Sequence, residues 1–376
     1  MNPQNNYRIK LLEPSLDENL VHQATQYFFD NLTQPHISIQ KFESALSAYT
    51  RSPYICLLNS GTSALHLALI LSGVKKDDDV ICPSFTFAAT AFAIKYIGAN
   101  PVFIDTSHHS WDMDPNLLNE AIVEGIGKGK KPKAIIVVHA YGYPANVDAI
   151  MELSRTYQIP VLEDGAGAIG SFYRQDHVGT IGDLGILSFN YNKVITTAGG
   201  GAILLKNKED YNKIRYLASQ AKDNTPYYQH QEIGYNYQMN HFAAELGNQQ
   251  LTSIDDFLGR KYHIYKHYQE GLKDMDIIEL PALSSDYKPN YWLNMIFFNN
   301  KEMRDHTAEL LKQYGIETRP VWKPMHLQPI FNTYKSYITG ASESYFDKGL
   351  CLPSSINITD DQINQIIGII KNKRFL

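Results

Sequence analysis

The sequence predicts an α/β protein, with a large domain on a mixed, mainly parallel sheet over residues 1–250 and a small α+β C-terminal domain over 251–376. Three observations carry that expectation. From about residue 53 to 205, short β-branched runs alternate with helical patterns, the signature of parallel strands covered by helices. Near residue 220 the texture changes to a polar, tyrosine-rich stretch, NTPYYQHQEIGYNYQMN, leading into a long helical pattern. The chain is also long enough, at 376 residues and 44% apolar content, to bury one large core and a second, smaller one.

In chain order, strands are expected at 80–82, 101–104, 134–138, 160–162, 186–189 and 202–205. Helices fall between them, one over 145–157 and one opened by Asp114-Pro115, a capping aspartate with proline at the first helical position. A single helical pattern then runs over 241–272. The remainder, from about 276, holds a strand in YWLNMIFF, a helix over 304–314 and a last helix from Asp360, with the tail KNKRFL as a solvated helix end. No internal repeat, low-complexity tract or charge block interrupts this order.

Composition narrows the function. A formal net charge of −5 leaves no basic footprint for nucleic acid or an anionic membrane. Cys56, Cys82 and Cys351 make neither a CxxC pair nor a disulfide framework. The start, MNPQNNYRIKLLEPSLDEN, lacks the apolar stretch of a secretory signal, and no run reaches the roughly 20 apolar residues of a membrane span. A cytoplasmic protein is expected.

Three constellations could carry chemistry. In LLNSGTSALHLALILSG, the small-residue turn Asn59-Ser60-Gly61-Thr62 opens an apolar helix, whose N-terminal N–H groups and dipole suit an anion such as phosphate. The same serine and threonine also serve as ordinary caps. In IPVLEDGAGAIGS, an apolar strand ends in Glu163-Asp164, where acids of open α/β sheets meet ligands; Asp164 is able to pair with a protonated ring nitrogen or simply to cap the next turn. No histidine or cysteine stands nearby in sequence at metal-ligand spacing, so no metal is expected. In LGILSFNYNKVITTAGGGAILL, a lone lysine, Lys193, lies between two apolar β runs, a costly place for an ammonium unless its pKa falls or it forms an imine; a solvated loop lysine is the plainer alternative.

Taken together, in this order and with Lys193 29 residues after Asp164, the three resemble a known family. From about Phe42 to Leu352 the chain resembles the DegT/DnrJ/EryC1/StrS sugar-nucleotide aminotransferases, and within them the bacillosamine-pathway enzymes. The strings PSFTF (83–87), GSFY (170–173), SFNYNKVITTAGGGA (188–202), GYNYQM (234–239) and ETRPVWKPMH (317–326) carry that likeness. It implies fold type I of the pyridoxal 5′-phosphate (PLP) enzymes, the aspartate-aminotransferase fold. By the resemblance, Gly61, Thr62 and Ser188 hold the cofactor phosphate, Phe87 stacks on the pyridine ring, Asp164 pairs with its nitrogen and Lys193 forms the imine. Asn236 resembles a residue that reaches the neighbouring subunit's phosphate, implying a homodimer with a shared site.

Glutamate is the implied amino donor and a nucleotide-linked 4-keto-6-deoxy sugar the acceptor, with UDP-4-keto-6-deoxy-N-acetylglucosamine as the specific expectation. Arg319, Trp322, Lys323 and His326 offer a cluster suited to a nucleotide sugar, with Tyr228 and His230 as further substrate candidates. The chain departs from many relatives in four places, one of them the N-terminal segment MNPQNNYRIKLLEPSLDEN, which lacks the usual glycine-containing start near the substrate entrance. Gly167 replaces the residue that usually meets the cofactor's phenolic oxygen, Ala198-Gly199 stands where Gly-Glu is common, and Gln238 replaces a common arginine. Two rivals remain: a PLP-dependent sugar dehydratase, in which histidine replaces the lysine, and a catalytically silent regulatory homologue. Lys193 speaks against the first, and a visible absorption band from bound cofactor would exclude the second.

Overall fold

In a computed structural model of the chain, residues 7–371 are described, except 15, 17, 35, 109, 276, 277 and 280–284. The runs YICLL and AIIVV form strands buried along nearly their whole length, as expected for a sheet with helices on both faces. Eight strands pair in the order Tyr54–Leu58, Gly201–Leu205, Leu184–Ser188, Val161–Asp164, Ala134–Val138, Asp79–Pro83, Asn100–Ile104 and Ser336–Tyr337. Gly201–Leu205 runs antiparallel to both neighbours, and every other pairing is parallel. Seven strands therefore end at one edge of the sheet, and Gly201–Leu205 begins there.

The helix Gly61–Leu71 follows the first strand and has no polar face. Eight of its residues, from Gly61 to Leu69, are buried. Its start is set by reciprocal caps: Ser60 Oγ accepts from the Ser63 N–H at 3.0 Å, and Ser63 Oγ accepts from the Ser60 N–H at 3.2 Å.

A second sheet is antiparallel, in the order Ile278–Glu279, Asn294–Phe298, Gly349–Leu352 and Arg319–Pro320. Its core joins Ile296 and Leu350 to Ile264, Leu311 and Ile366 from the helices Ile254–Leu272, Lys301–Gln313 and Asp360–Lys371. This matches the α/β plus α+β expectation.

Four details differ from the sequence reading. The helical pattern over 241–272 is two helices, His241–Leu251 and Ile254–Leu272, because the chain turns at Thr252-Ser253. The helix expected at 304–314 starts earlier, at Lys301, where Asn300 caps it through the Met303 N–H. Tyr54–Leu58 is a strand that the alternation did not single out. Two helices, Glu18–Asp30 and His36–Thr50, precede it. The expectations for residues 1–6, for 276 as a starting point and for the tail 372–376 fall outside the described residues.

We propose that the boundary of the two units lies at the Thr252-Ser253 turn. Two pieces cross that line: Ile9 pairs with Ile316 beside the second sheet, and Ser336–Tyr337 adds the last strand to the first.

Candidate active site

The strand ends converge on a cavity of about 330 Å³, inside the size range of small-molecule sites. Gly61, Thr62, Phe87, Asp164, Ser188, Lys193 and Trp322 all line it. This is the C-terminal edge of the parallel strands, where open α/β sheets bind ligands.

Alternation along Val161–Asp164 sends its two acids to opposite faces. Glu163 turns away from the cavity and is fully buried; it accepts from the N–H groups of Gly179, Ile181 and Gly182 and from His139 Nε2 at 2.9 Å. Burial alone would raise its pKa, but these hydrogen bonds outweigh it and hold the carboxyl below its ordinary value. The Nδ1 of His139 accepts from the Ala145 N–H at 3.0 Å, so the ring proton sits on Nε2, facing Glu163.

Asp164 faces the cavity. Thr90 Oγ1 donates to its Oδ2 at 2.8 Å and the Ala166 N–H to its Oδ1 at 3.1 Å. Burial raises its pKa, opposed by these bonds and by Lys193.

Lys193 lies in the turn after the strand Leu184–Ser188. The residue as a whole is half-buried, but its amine is packed round by protein, 3.6 Å from the centroid of the Trp292 ring. Desolvation pulls the amine from 10.5 to about 7, with Asp164 pulling the other way. A nucleophilic neutral amine at moderate pH is the result.

At the other end of the cavity, the N–H groups of Gly61 and Thr62 open a helix and have no partner within it. A Cβ at Gly61 would stand 3.0 Å from Ser188 Cβ, a tight contact with the end of the strand Leu184–Ser188.

An aromatic wall closes the third side. Tyr141 and Trp322 stack at 4.0 Å between centroids, Trp322 lies 6.3 Å from Phe87 and Tyr141 lies 6.4 Å from Trp292. Tyr141 adopts φ 57°, a strained left-handed conformation, and accepts from the Trp322 N–H at 2.6 Å. Phe87 is 60% exposed on the cavity wall. A large aromatic left open beside a pocket is a ready face for a flat ring.

The remaining candidates lie outside this lining. Asn236 is exposed, though its carbonyl accepts from Asn59 Nδ2, which borders the cavity. Tyr228 and His230 are themselves exposed; Lys222 covers the Tyr228 ring and His230 Nδ1 meets the Gln220 carbonyl. Arg319 is exposed and paired with Glu317, and Lys323 is exposed. His326 is held between Ser84 Oγ at 2.6 Å and Glu343 at 3.0 Å, both ring nitrogens engaged, so within this chain it braces the loop. Sequence reasoning missed Trp292, Thr90, His139 and Tyr141; of these only Trp292, in the quoted strand YWLNMIFF, carried a visible signal.

These residues fit PLP. The helix start and Ser188 suit a phosphate, Asp164 a protonated ring nitrogen, Phe87 a ring face, and the Lys193 amine an aldehyde.

Comparison with known proteins points the same way. The model of the DegT/DnrJ/EryC1/StrS aminotransferase family matches residues 15–371. EpsN of Bacillus subtilis (strain 168) is 37% identical over 368 residues, covering 96% of this chain and 95% of its own. The GDP-perosamine synthase of Escherichia coli O157:H7 is 33% identical, covering 93% and 95%. A solved DegT/DnrJ/EryC1/StrS aminotransferase from Brucella abortus superposes with a TM-score of 0.88 at 28% identity over 94% of this chain and 95% of its own. Spr1654 of Streptococcus pneumoniae, solved in a PLP form, matches with a TM-score of 0.87 at 26% identity over 97% and 98%.

Proposed function

Because the chain belongs to the DegT/DnrJ/EryC1/StrS aminotransferase family, and so to the PLP-dependent sugar aminotransferases, we propose that it moves an amino group from glutamate to a nucleotide-linked 4-keto-6-deoxy sugar. The sugar is UDP-4-keto-6-deoxy-N-acetylglucosamine in this reading. The observation that carries it is the meeting of a desolvated lysine amine, a buried carboxyl and a helix N-terminus in one cavity.

PLP, when bound, supplies an electron sink for the carbon that loses its proton. The chain's own residues do the rest. Gly61, Thr62 and Ser188 anchor the phosphate, and Asp164, oriented by Thr90, keeps a proton on the ring nitrogen. Lys193 is the point of covalent attachment. With the cofactor bound and the lysine freed, its Nζ would be the base that takes a proton from the donor's α-carbon and the acid that gives it back. Tyr141, Trp322 and Phe87 form an aromatic wall along one side of these atoms.

A homodimer completes the site in this account. The 220–236 segment exposes Tyr227, Tyr228 and Ile233, and Asn236 points outward from its end. Such an apolar surface beside the cavity rim suits a second subunit, which Asn236 would reach. Arg319 and Lys323 are the cations offered to the diphosphate, and Trp322 is the wall for the sugar.

A GDP-linked sugar is the second reading, favoured by the relatives named GDP-perosamine synthase at 30–33% identity. Incubation with glutamate and a panel of UDP-, GDP- and dTDP-linked 4-keto-6-deoxy sugars, with products read by mass, separates the two. A higher kcat/KM for the UDP-linked N-acetylhexosamine is expected. A higher value for a GDP- or dTDP-linked sugar removes the UDP assignment and leaves the aminotransferase, whereas no amination of any keto sugar removes both.

A further inference from the structure

Gly167 and Trp292 occupy one volume. A Cβ on Gly167 would stand 2.5 Å from Cε3 and 2.9 Å from Cζ3 of the indole, so any side chain at 167 must displace that ring. The indole is fixed through each polar atom of the residue. Its Nε1–H donates to the Asn192 carbonyl at 2.7 Å, its backbone N–H to Asn290 Oδ1 at 2.9 Å, and its carbonyl accepts from the buried Lys261 amine at 3.0 Å. Asn290 Nδ2 in turn donates to the carbonyls of Gly167 and Ile169, at 2.9 and 2.8 Å, which locks the tryptophan segment to the loop after Asp164. The residue before it, Tyr291, adopts φ 52°, a conformation that a tyrosine keeps only where its surroundings impose it.

All of this aims one ring face at one atom. The Lys193 amine lies 3.6 Å from the ring centroid, and Trp292 lines the cavity beside it.

We propose that Trp292 is the positioning residue of Lys193: seated in the space left by the absent side chain at 167, its indole shields the lysine amine from water and holds it against a π face beside the cavity. The assignment rests on the reading of Lys193 as the attachment lysine. Two opposed effects act on the amine, since excluding water disfavours its charge and the ring face favours it. Burial pulls this amine from 10.5 to about 7 against the opposing charge of Asp164, so opening it to water should raise it.

Competitive acetylation of the full-length, cofactor-free protein between about pH 5 and about pH 10, read at the Lys193 peptide by mass, gives the midpoint of that amine. Trp292→Ala lets water reach it, and the midpoint rises by about one pH unit or more, leaving roughly tenfold less free amine near neutrality. Trp292→Phe, which keeps a ring, stays close to the parent. Gly167→Ala pushes the indole aside without deleting it, so it shifts the midpoint upward in the parent and adds nothing in the Trp292→Ala background. An unchanged or lower midpoint in Trp292→Ala overturns the proposal, as does a Gly167→Ala shift of equal size in both backgrounds. If Trp292→Ala does not accumulate as folded protein, Gly167→Ala decides alone: an upward shift supports the proposal and an unmoved midpoint overturns it. Borohydride fixation of the parent holoenzyme separates the two readings, since fixation at Lys193 with an unmoved midpoint removes only the role of Trp292.

Discussion

Thr90 Oγ1 donates a 2.8 Å hydrogen bond to Asp164 Oδ2, and both residues are buried at the cavity wall. The bond leaves the carboxyl oriented from behind, while the Ala166 N–H fixes its other oxygen. A carboxylate held this way keeps a partner's proton in place without moving itself.

Asp164→Asn should therefore bind PLP yet lose at least about 100-fold in kcat, roughly 2.7 kcal/mol of barrier, because a neutral amide cannot hold a proton on the ring nitrogen. Absorbance of the bound cofactor checks retention, and single-turnover kinetics with glutamate check the loss. A fall of less than about tenfold shows that the carboxyl's charge is not needed.

Lys193 sets a pH dependence whose sign follows from its environment. Burial lowers the amine to about 7, so it is protonated and inert below that pH and a free base above it. Capture of the cofactor's aldehyde by the cofactor-free protein should accelerate as pH rises through about 7 and then level off. Stopped-flow absorbance across pH measures this. A rate that keeps climbing past about pH 9 would mean an ordinary solvated lysine.

Ala198 adopts φ 62° in the exposed turn after Lys193. A left-handed alanine costs more than the backbone freedom that glycine loses on folding. Ala198→Gly should stabilise the chain by about 0.5–1 kcal/mol, seen as a higher urea midpoint at unchanged slope. A lower midpoint would show that the turn relaxes to suit alanine.

Much of the first sheet was legible because its strands are short apolar runs whose ends carry the chemistry: Asp164, Ser188 and Lys193 are local features of single segments. The break at Thr252-Ser253 was not legible, since apolar residues on both sides keep a helical rhythm across it. The neighbours that complete the site come from afar. His139, just past the end of the strand Ala134–Val138, and Glu163, on the adjacent strand, are 24 residues apart in sequence, and Trp292 reaches Asn192 across 100 residues. Metal-ligand spacing along the chain could not reveal that a histidine lies against Glu163. The glycine at 167 was read as a lost contact, whereas in three dimensions it is the place where the Trp292 ring fits.

Among the described residues, two lysines have amines that burial lowers to about 7, Lys193 and Lys261. Lys261 spends its amine on the carbonyls of Trp292 and Ser354, while Lys193 lines the cavity. Borohydride reduction of the PLP-loaded protein, followed by digestion and peptide mass mapping, tests the central assignment most directly. The account predicts one fixed cofactor per chain, on the peptide containing Lys193; fixation on the Lys261 peptide, or on any other lysine, would contradict it.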